Sequence, residues 1–207
     1  VALHVDDVPW ASRQMWAPDA AEKDGKYYFY FPAKDKDDIF RLGVATADDP
    51  AGPFDPQDKP IKGSYSIDPA VFEDTDGEYY MYFGGIWGGQ LQRWQTGEYK
   101  PKGEEPPADE PAIGPRIAKM SDDMLSFAEE PKEIKILDKD GSPILAGDHE
   151  RRFFEAAWIH KYDGKYYLSY STGDTHLIVY PTGDNPNAPF TYQGSITKPL
   201  WAWNSPH

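Results

Sequence analysis

One short motif, Asp-Gly-Lys-Tyr-Tyr, occurs three times in the chain, at residues 24–28, 76–80 (with Glu in place of Lys) and 163–167. Asp-Gly flanked by runs of Tyr and Phe is a strong hairpin signal, because glycine accepts the positive φ that a tight turn requires. Aromatic residues also favour strands, and no long segment shows a helical period. The motif therefore predicts an all-β chain built from repeated antiparallel units.

Each repeat is predicted to contain three short strands, one before its turn and two after it. The predicted strands are 17–22, 27–31 and 41–46 in the first repeat, 69–73, 79–83 and 116–120 in the second, and 156–161, 166–170 and 176–180 in the third. Units of about 50–60 residues with short antiparallel strands are typical of propeller blades. A closed ring needs about four to eight blades, so residues 1–207 are predicted to form a partial β-propeller domain of about three to four blades. Flanking sequence or partners would supply the rest.

The turn glycines are 52 and 87 residues apart, and the longer interval points to inserted loops. Residues 84–115 and 132–150 are predicted to be these loops. Residues 99–115 are rich in Pro and Glu. They are expected to form a surface excursion, that is, a loop that protrudes from the protein surface. The alternative is a lid that shapes the rim of a pocket.

The composition excludes several classes of function. The 207 residues carry a formal net charge of −14, which argues against nucleic acid or an anionic membrane as a partner. The chain has no Cys, so thiol catalysis and disulfides are excluded, and no apolar run approaches the roughly 18 residues of a membrane span. A neutral substrate fits this charge, whereas the cellular compartment and the oligomeric state stay open.

Three side chains occupy one position of the repeat, nine residues before the turn glycine: Trp16, Asp68 and Glu155. If the repeats surround a common axis, these side chains converge on one pocket. A pair of carboxylic acids can carry out glycoside hydrolysis, with one acid as proton donor. The apolar neighbours of Glu155 and the charge of Asp68 are expected to raise the pKa of Glu155, as an acid catalyst requires. Taken alone, Asp68 also fits a turn and Trp16 a core position, but the shared register favours a catalytic pair.

The segments around these residues resemble the motifs of glycoside hydrolase family 43. The resemblance rests on Trp-Ala-Pro-Asp at 16–19, Ile-Asp-Pro-Ala-Val-Phe at 67–72 and Phe-Glu-Ala-Ala at 154–157, each followed by its Asp-Gly motif. It implies a five-bladed β-propeller that hydrolyses terminal xylose or arabinofuranose units of hemicellulose fragments, most closely as a β-xylosidase. An α-L-arabinofuranosidase or arabinanase is one alternative, and a non-catalytic sugar-binding propeller is another.

The resemblance further implies an inverting mechanism with three acids and no cofactor. Glu155 would be the general acid, and Asp68 would orient it and modulate its pKa. The general base would lie in a strand upstream of Trp16. Nothing in residues 1–15 matches the base motif, so this chain is expected to lack the base and to be inactive alone.

Aromatic residues near the two acids are candidates for binding xylo- or arabino-oligosaccharides. Trp16, Trp87 and Phe154 are predicted to contact the sugar, and Trp94 is a further candidate. The resemblance also implies a His near the central channel, which such enzymes associate with a calcium ion. His207 is the candidate for this position, with a structural calcium ion as an option, whereas no spacing of His residues predicts a metal site.

Overall fold

Three antiparallel sheets follow one another along the chain. The computed structural model describes residues 2–173, 175 and 177–197. The first sheet contains β1 (Asp19–Lys23), β2 (Lys26–Lys34), β3 (Phe40–Ala47) and β4 (Asp55–Pro56), and the second contains β5 (Ala70–Glu73), β6 (Tyr79–Phe83), β7 (Arg116–Lys119) and β8 (Lys132–Glu133). The third contains β10 (Glu155–Tyr162), β11 (Lys165–Ser171), β12 (Ile178–Gly183) and β13 (Phe190–Ser195), with β9 (Ile136–Leu137) at its edge. The sheets are consecutive blades of a partial β-propeller, so the predicted all-β class is confirmed.

Two of the three predicted hairpins have the expected tight turn. Lys23 pairs with Lys26 across Asp24-Gly25, and Tyr162 pairs with Lys165 across Asp163-Gly164. All four loop residues have positive φ, the conformation of a type I′ turn. The motif therefore encodes the same local geometry in blades one and three.

The middle hairpin has a wider turn than its sequence predicts. Glu73 pairs with Tyr79, and five residues separate them. Within this loop only Gly77 has positive φ, and the Asp74 carboxylate accepts a hydrogen bond from the backbone N–H of Thr75. Gly77 also donates its N–H to the Asp74 carbonyl at 2.9 Å, so a longer turn with glycine at its positive-φ position replaces the two-residue turn.

Residues 132–150, predicted to be a loop, contain two short outer strands. β8 closes the edge of the second blade by pairing with β7. Three residues later β9 pairs parallel with β13 at the edge of the third blade. This segment therefore connects the outer edges of two blades, and the loop prediction is wrong for these strands. The repeat pattern gave no signal for them because each is only two residues long.

Tyrosine hydroxyls connect each blade to the next. Tyr30 and Tyr82 lie at the same repeat position and donate hydrogen bonds to carbonyl oxygens of the following blade, at Met124 (2.9 Å) and Pro186 (3.0 Å). Tyr79, on the opposite face of β6, donates to the Glu22 carbonyl of the preceding blade at 3.0 Å. The repeated tyrosines therefore fix how successive blades pack, and one apolar core runs through all three sheets.

The predicted loop at residues 84–115 contains two 3₁₀ turns, Trp87–Gly89 and Leu91–Trp94. The Trp94 indole is buried and stacks on Tyr65, with ring centroids 4.6 Å apart. This ring belongs to the core. In the part of the chain that the structure describes, no helix is long and apolar enough to cross a membrane.

Asp74 also forms a partly buried ion pair between blades two and three. Its carboxylate accepts hydrogen bonds from Lys161 Nζ at 2.7 Å and from the Tyr166 hydroxyl. Burial opposes ionisation of Asp74, but the bonds from Lys161 and Tyr166 outweigh it and hold the pKa of this carboxyl below its ordinary value. The ion pair therefore stabilises the fold fully at pH values above the ordinary pKa of Asp. This contribution is lost as the pH falls through the lowered pKa of Asp74.

Replacing Asp74 with Ala should therefore weaken the packing between blades two and three. We expect Asp74→Ala to lower the free energy of unfolding by about 2 kcal/mol at pH 7, because Lys161 and Tyr166 lose the charged acceptor of their hydrogen bonds. The loss should shrink in acid. Urea denaturation of the full-length protein measures both effects, and Asp76→Ala in the exposed part of the same turn should cost less than about 1 kcal/mol. Equal losses in the two variants would contradict a role for the ion pair.

Candidate active site

Asp68 lies on the segment that leads into β5 and points into the interior. It is 5% exposed, and its backbone has a φ of 56°, a conformation that is strained for a residue with a side chain. Asp68 Oδ2 accepts a hydrogen bond from the backbone N–H of Ala156 at 3.1 Å. Because Ala156 directly follows Glu155, this bond joins the two acid-bearing segments of blades two and three.

Glu155 begins β10, and a bulge follows it. Glu155 pairs with Ser171, and the register then shifts before Trp158. Ala156, inside the bulge, has a φ of 59°. Bulges re-aim side chains at the ends of strands and are common beside active sites. The bulge here leaves Glu155 half-buried and places the Ala156 N–H against Asp68.

The charges of the two acids are coupled. Burial raises the pKa of Asp68, the negative charge of Glu155 raises it further, and the Ala156 N–H opposes the shift, for a value of about 7. The repulsion is mutual, since each ionised carboxylate disfavours ionisation of the other. Asp68 therefore exchanges a proton near neutral pH beside the carboxyl of Glu155.

The turn at residues 84–91 brings all three register positions together. Gly84 donates its N–H to the Ile67 carbonyl at 2.8 Å and Ile86 donates to the Phe154 carbonyl at 2.9 Å, so the turn bridges the residues that precede Asp68 and Glu155. Its glycines allow this close approach. A Cβ added at Gly85 would lie 2.7 Å from Ile67 Cδ1 and 3.2 Å from Glu155 Cβ.

Trp16 contacts the same turn from the first blade. A Cβ at Gly88 would lie 3.4 Å from Trp16 Cη2, and the indole packs on Phe40 with ring centroids 4.7 Å apart. Trp16 is 38% exposed, so part of its ring is open to a ligand. The predicted convergence of Trp16, Asp68 and Glu155 is therefore observed as a chain of contacts through one turn.

The other predicted sugar contacts have different environments. Trp87 is 50% exposed and meets Phe154 edge-on at 5.1 Å. Phe154 is only 3% exposed, so it supports Trp87 and offers a sugar little surface. Its contact with substrate stays a prediction. His207 lies outside the described residues.

Sequence reasoning missed several residues that shape this site. Ser66, with a positive φ, donates its hydroxyl hydrogen to the Gly89 carbonyl at 2.8 Å, with the Gly85 carbonyl also in reach at 3.2 Å, and accepts a hydrogen bond from the Gly85 N–H. The paired glycines at 84–85 and 88–89 were the available signal, because closely spaced glycines mark close backbone approach. Among the described residues, no group of three or more His, Asp or Glu could hold a metal ion.

Comparison with known proteins identifies the family. The family model described as "Glycosyl hydrolases family 43" matches residues 3–198. The chain belongs to glycosyl hydrolase family 43. The expectation that its motifs raised is thus confirmed, and the residues that carry those motifs are the ones that converge in the structure.

The relatives of this family 43 chain include proteins named for pentose-releasing activities. A "Xylosidase/arabinosidase" from Bacteroides ovatus is 60% identical over 207 residues, covering 100% of this chain and 64% of that protein. "Xylosidase/arabinosidase 43A" from Humicola insolens is 60% identical over 214 residues, covering 100% of this chain and 65% of that protein. The chain thus spans less than two thirds of the length of these relatives.

A solved structure of a relative shares the fold closely. It is a GH43 beta-xylosidase/alpha-arabinofuranosidase from a compost microbial metagenome, in complex with xylotriose and in a calcium-free form. It superposes with a TM-score of 0.95 and is 71% identical, covering 98% of this chain and 62% of that chain. The partial propeller of this family 43 chain is therefore the family's own fold.

The shifted pKa of Asp68 predicts a pH-dependent cost to stability. A raised native pKa means that the stability contribution of Asp68 is complete below the ordinary value and is lost as pH rises through about 7. Asp68→Asn removes this loss. The variant should gain stability over the wild type as pH rises from 5 to 8, by about 2–3 kcal/mol, because only the part of the shift above pH 5 acts in this range.

Urea denaturation at both pH values measures this gain, with exposed Asp109→Asn as the control. If the difference in unfolding free energy between Asp68→Asn and the wild type is the same at both pH values, the raised pKa of Asp68 is contradicted.

A side chain at position 173 should clash with the Phe154 ring, which supports Trp87. Gly173 and Gly164 both have positive φ, so Ala at either position strains the backbone by about 1 kcal/mol. A Cβ at Gly173 would also lie 2.4 Å from the Phe154 ring, whereas nothing lies within 4 Å at Gly164. We expect Gly173→Ala to lose about 1–3 kcal/mol more than Gly164→Ala in urea denaturation. Equal losses would show that Phe154 is free to move.

Proposed function

We propose that the protein is a glycoside hydrolase that removes terminal xylose units from hemicellulose fragments with inversion, as a β-xylosidase. The observation that carries this proposal is the juxtaposition of Asp68 and Glu155, in which the charge of Glu155 helps to raise the pKa of buried Asp68 to about 7, next to a turn that carries the exposed indole of Trp87. Glycosidic oxygens leave slowly unless a positioned acid protonates them. Family membership and the names of the relatives support the same activity.

The geometry favours different roles for the two acids. Glu155 is half-buried at the start of a strand, so its carboxyl can reach a ligand. Asp68 is almost fully buried and bonded to the backbone beside Glu155. We therefore assign Glu155 as the general acid and Asp68 as the residue that keeps the proton on the pair and orients Glu155.

Inversion requires a third group that activates water on the opposite face of the sugar. The acid and base carboxyls of inverting enzymes lie about 6.5–9.5 Å apart, which leaves room for that water. The family resemblance assigns this role to an Asp upstream of the Trp16 motif, and that assignment stays a prediction. We propose no cofactor for the chemistry, and a structural calcium ion associated with His207 also stays a prediction.

An α-L-arabinofuranosidase activity is the second candidate. It is favoured by the names of the relatives, which combine xylosidase with arabinosidase, and by the solved structure described as both enzymes. Turnover of 4-nitrophenyl xyloside and 4-nitrophenyl arabinofuranoside by the full-length protein distinguishes the two, and no turnover of either would favour a non-catalytic sugar-binding propeller.

Removing the general acid should affect substrates according to their leaving groups. We expect Glu155→Ala to lower kcat/KM for xylobiose by about 10³-fold, because an alkoxide leaves poorly without a proton. The loss on 4-nitrophenyl xyloside should be about tenfold, since its leaving group needs little protonation. Exposed Glu130→Ala is the control. Equal losses on both substrates would contradict the acid role of Glu155.

A further inference from the structure

The Trp87 indole belongs to a closed set of four side chains. Trp87 Nε1 donates a hydrogen bond to the Glu105 carboxylate, and Glu105 Oε2 pairs with Arg152 Nη1 at 3.0 Å. The Arg152 guanidinium lies over the Phe154 ring, 5.9 Å from its centroid, and Phe154 meets the Trp87 ring edge-on. We call these four residues the indole clamp.

The clamp joins two distant parts of the chain. Glu105 lies in the Pro- and Glu-rich segment expected to be a surface excursion, and the backbone carbonyl of its neighbour Glu104 accepts a hydrogen bond from Gln95 Nε2 at 2.7 Å. Arg152 is 2% exposed and lies three residues before Glu155. The buried Arg152 side chain therefore ties the Pro- and Glu-rich part of the insert to the acid-bearing segment.

A buried guanidinium strongly restrains the carboxylate that pairs with it. Charge-assisted hydrogen bonds from Arg are short and directional, and leaving Arg152 without a partner would be costly. Glu105 is thus held in place, and its other oxygen fixes the indole N–H. One edge of the ring is bonded and a face lies against Phe154, while half of the Trp87 surface remains exposed.

An exposed indole held rigidly beside an acid pair is a platform for a sugar ring. The apolar face of a pyranose packs on an aromatic face, and a rigid platform loses little conformational entropy on binding. We propose that Glu105 and Arg152 are positioning residues that orient Trp87 to bind a pyranose unit of a xylo-oligosaccharide. This inference deepens the proposed function and rests on it.

The first test measures affinity for xylotriose by calorimetry, in a Glu155→Gln background that prevents turnover. We expect Glu105→Ala to raise Kd by about tenfold, because the indole is no longer oriented. Glu105→Gln keeps an acceptor for the indole N–H and should recover much of the affinity. Exposed Glu104→Ala is the matched control and should leave Kd unchanged. Thermal denaturation confirms that each variant is folded.

A double-mutant cycle tests whether Glu105 acts through Trp87. Trp87→Ala alone should also raise Kd by about tenfold, and adding Glu105→Ala to it should cause no further loss, since residues in one network are not additive. Full additivity of the two losses would overturn the proposal. An affinity unchanged by folded Glu105→Ala, or no recovery with Glu105→Gln, would overturn it as well.

Wild-type kinetics separate this inference from the proposed function. In the wild-type background, Glu105→Ala should raise KM for xylobiose by about tenfold and leave kcat nearly unchanged. A wild-type protein that hydrolyses pentosides while Glu105→Ala leaves KM unchanged overturns the indole clamp alone. A wild-type protein that neither binds xylotriose nor hydrolyses any pentoside overturns the proposed function, and the inference with it.

Discussion

The hydrogen bond from the Ala156 N–H to Asp68 is the contact on which the site depends. It forms only because blades two and three pack with their inner strands beginning side by side, and the cross-blade bonds of Tyr82 and Asp74 set that packing. Neither acid could be placed by its own blade alone. The geometry of the pair is therefore a property of the interface between blades, and any change in how the blades pack acts on the chemistry directly.

The site concentrates features that oppose folding. Asp68 and Ala156 have left-handed backbones, as do Ser66 and Trp87 nearby. Each such residue costs of order 1–3 kcal/mol and persists only where surrounding structure enforces it. Burial of Asp68 beside another carboxylate adds an electrostatic cost. Features of this kind cluster at functional sites, because a group that exchanges a proton near neutral pH cannot have its ordinary environment.

The repeated features of this structure could be predicted from the sequence. The Asp-Gly motifs predicted the hairpins, and the register nine residues upstream predicted that Trp16, Asp68 and Glu155 would share one end of the blades. Both follow from short-range rules, since a turn and an alternating strand fix where side chains point. These rules operate within a few residues, and repetition extends them across the fold.

Contacts between residues far apart in sequence could not be predicted in the same way. The expected loop at residues 132–150 contains β8 and β9, the middle turn is longer than two residues, and Phe154 is buried beside Trp87. Glu105 and Arg152 are separated by 46 residues and share no repeat position. Nothing local marks them as partners, because their pairing depends on where the insert folds relative to blade three.

The residues proposed to carry the chemistry and those proposed to bind the sugar lie in different parts of the chain. The acids occupy repeat positions, where strand pairing and blade packing fix them. The indole of Trp87 and its partner Glu105 instead lie on the insert of one blade, and side-chain contacts orient the indole there. Loops tolerate sequence change better than the strands they connect. A propeller of this kind can therefore alter the shape of its sugar-binding rim without disturbing the carboxylate pair, provided that a buried cation such as Arg152 retains a partner.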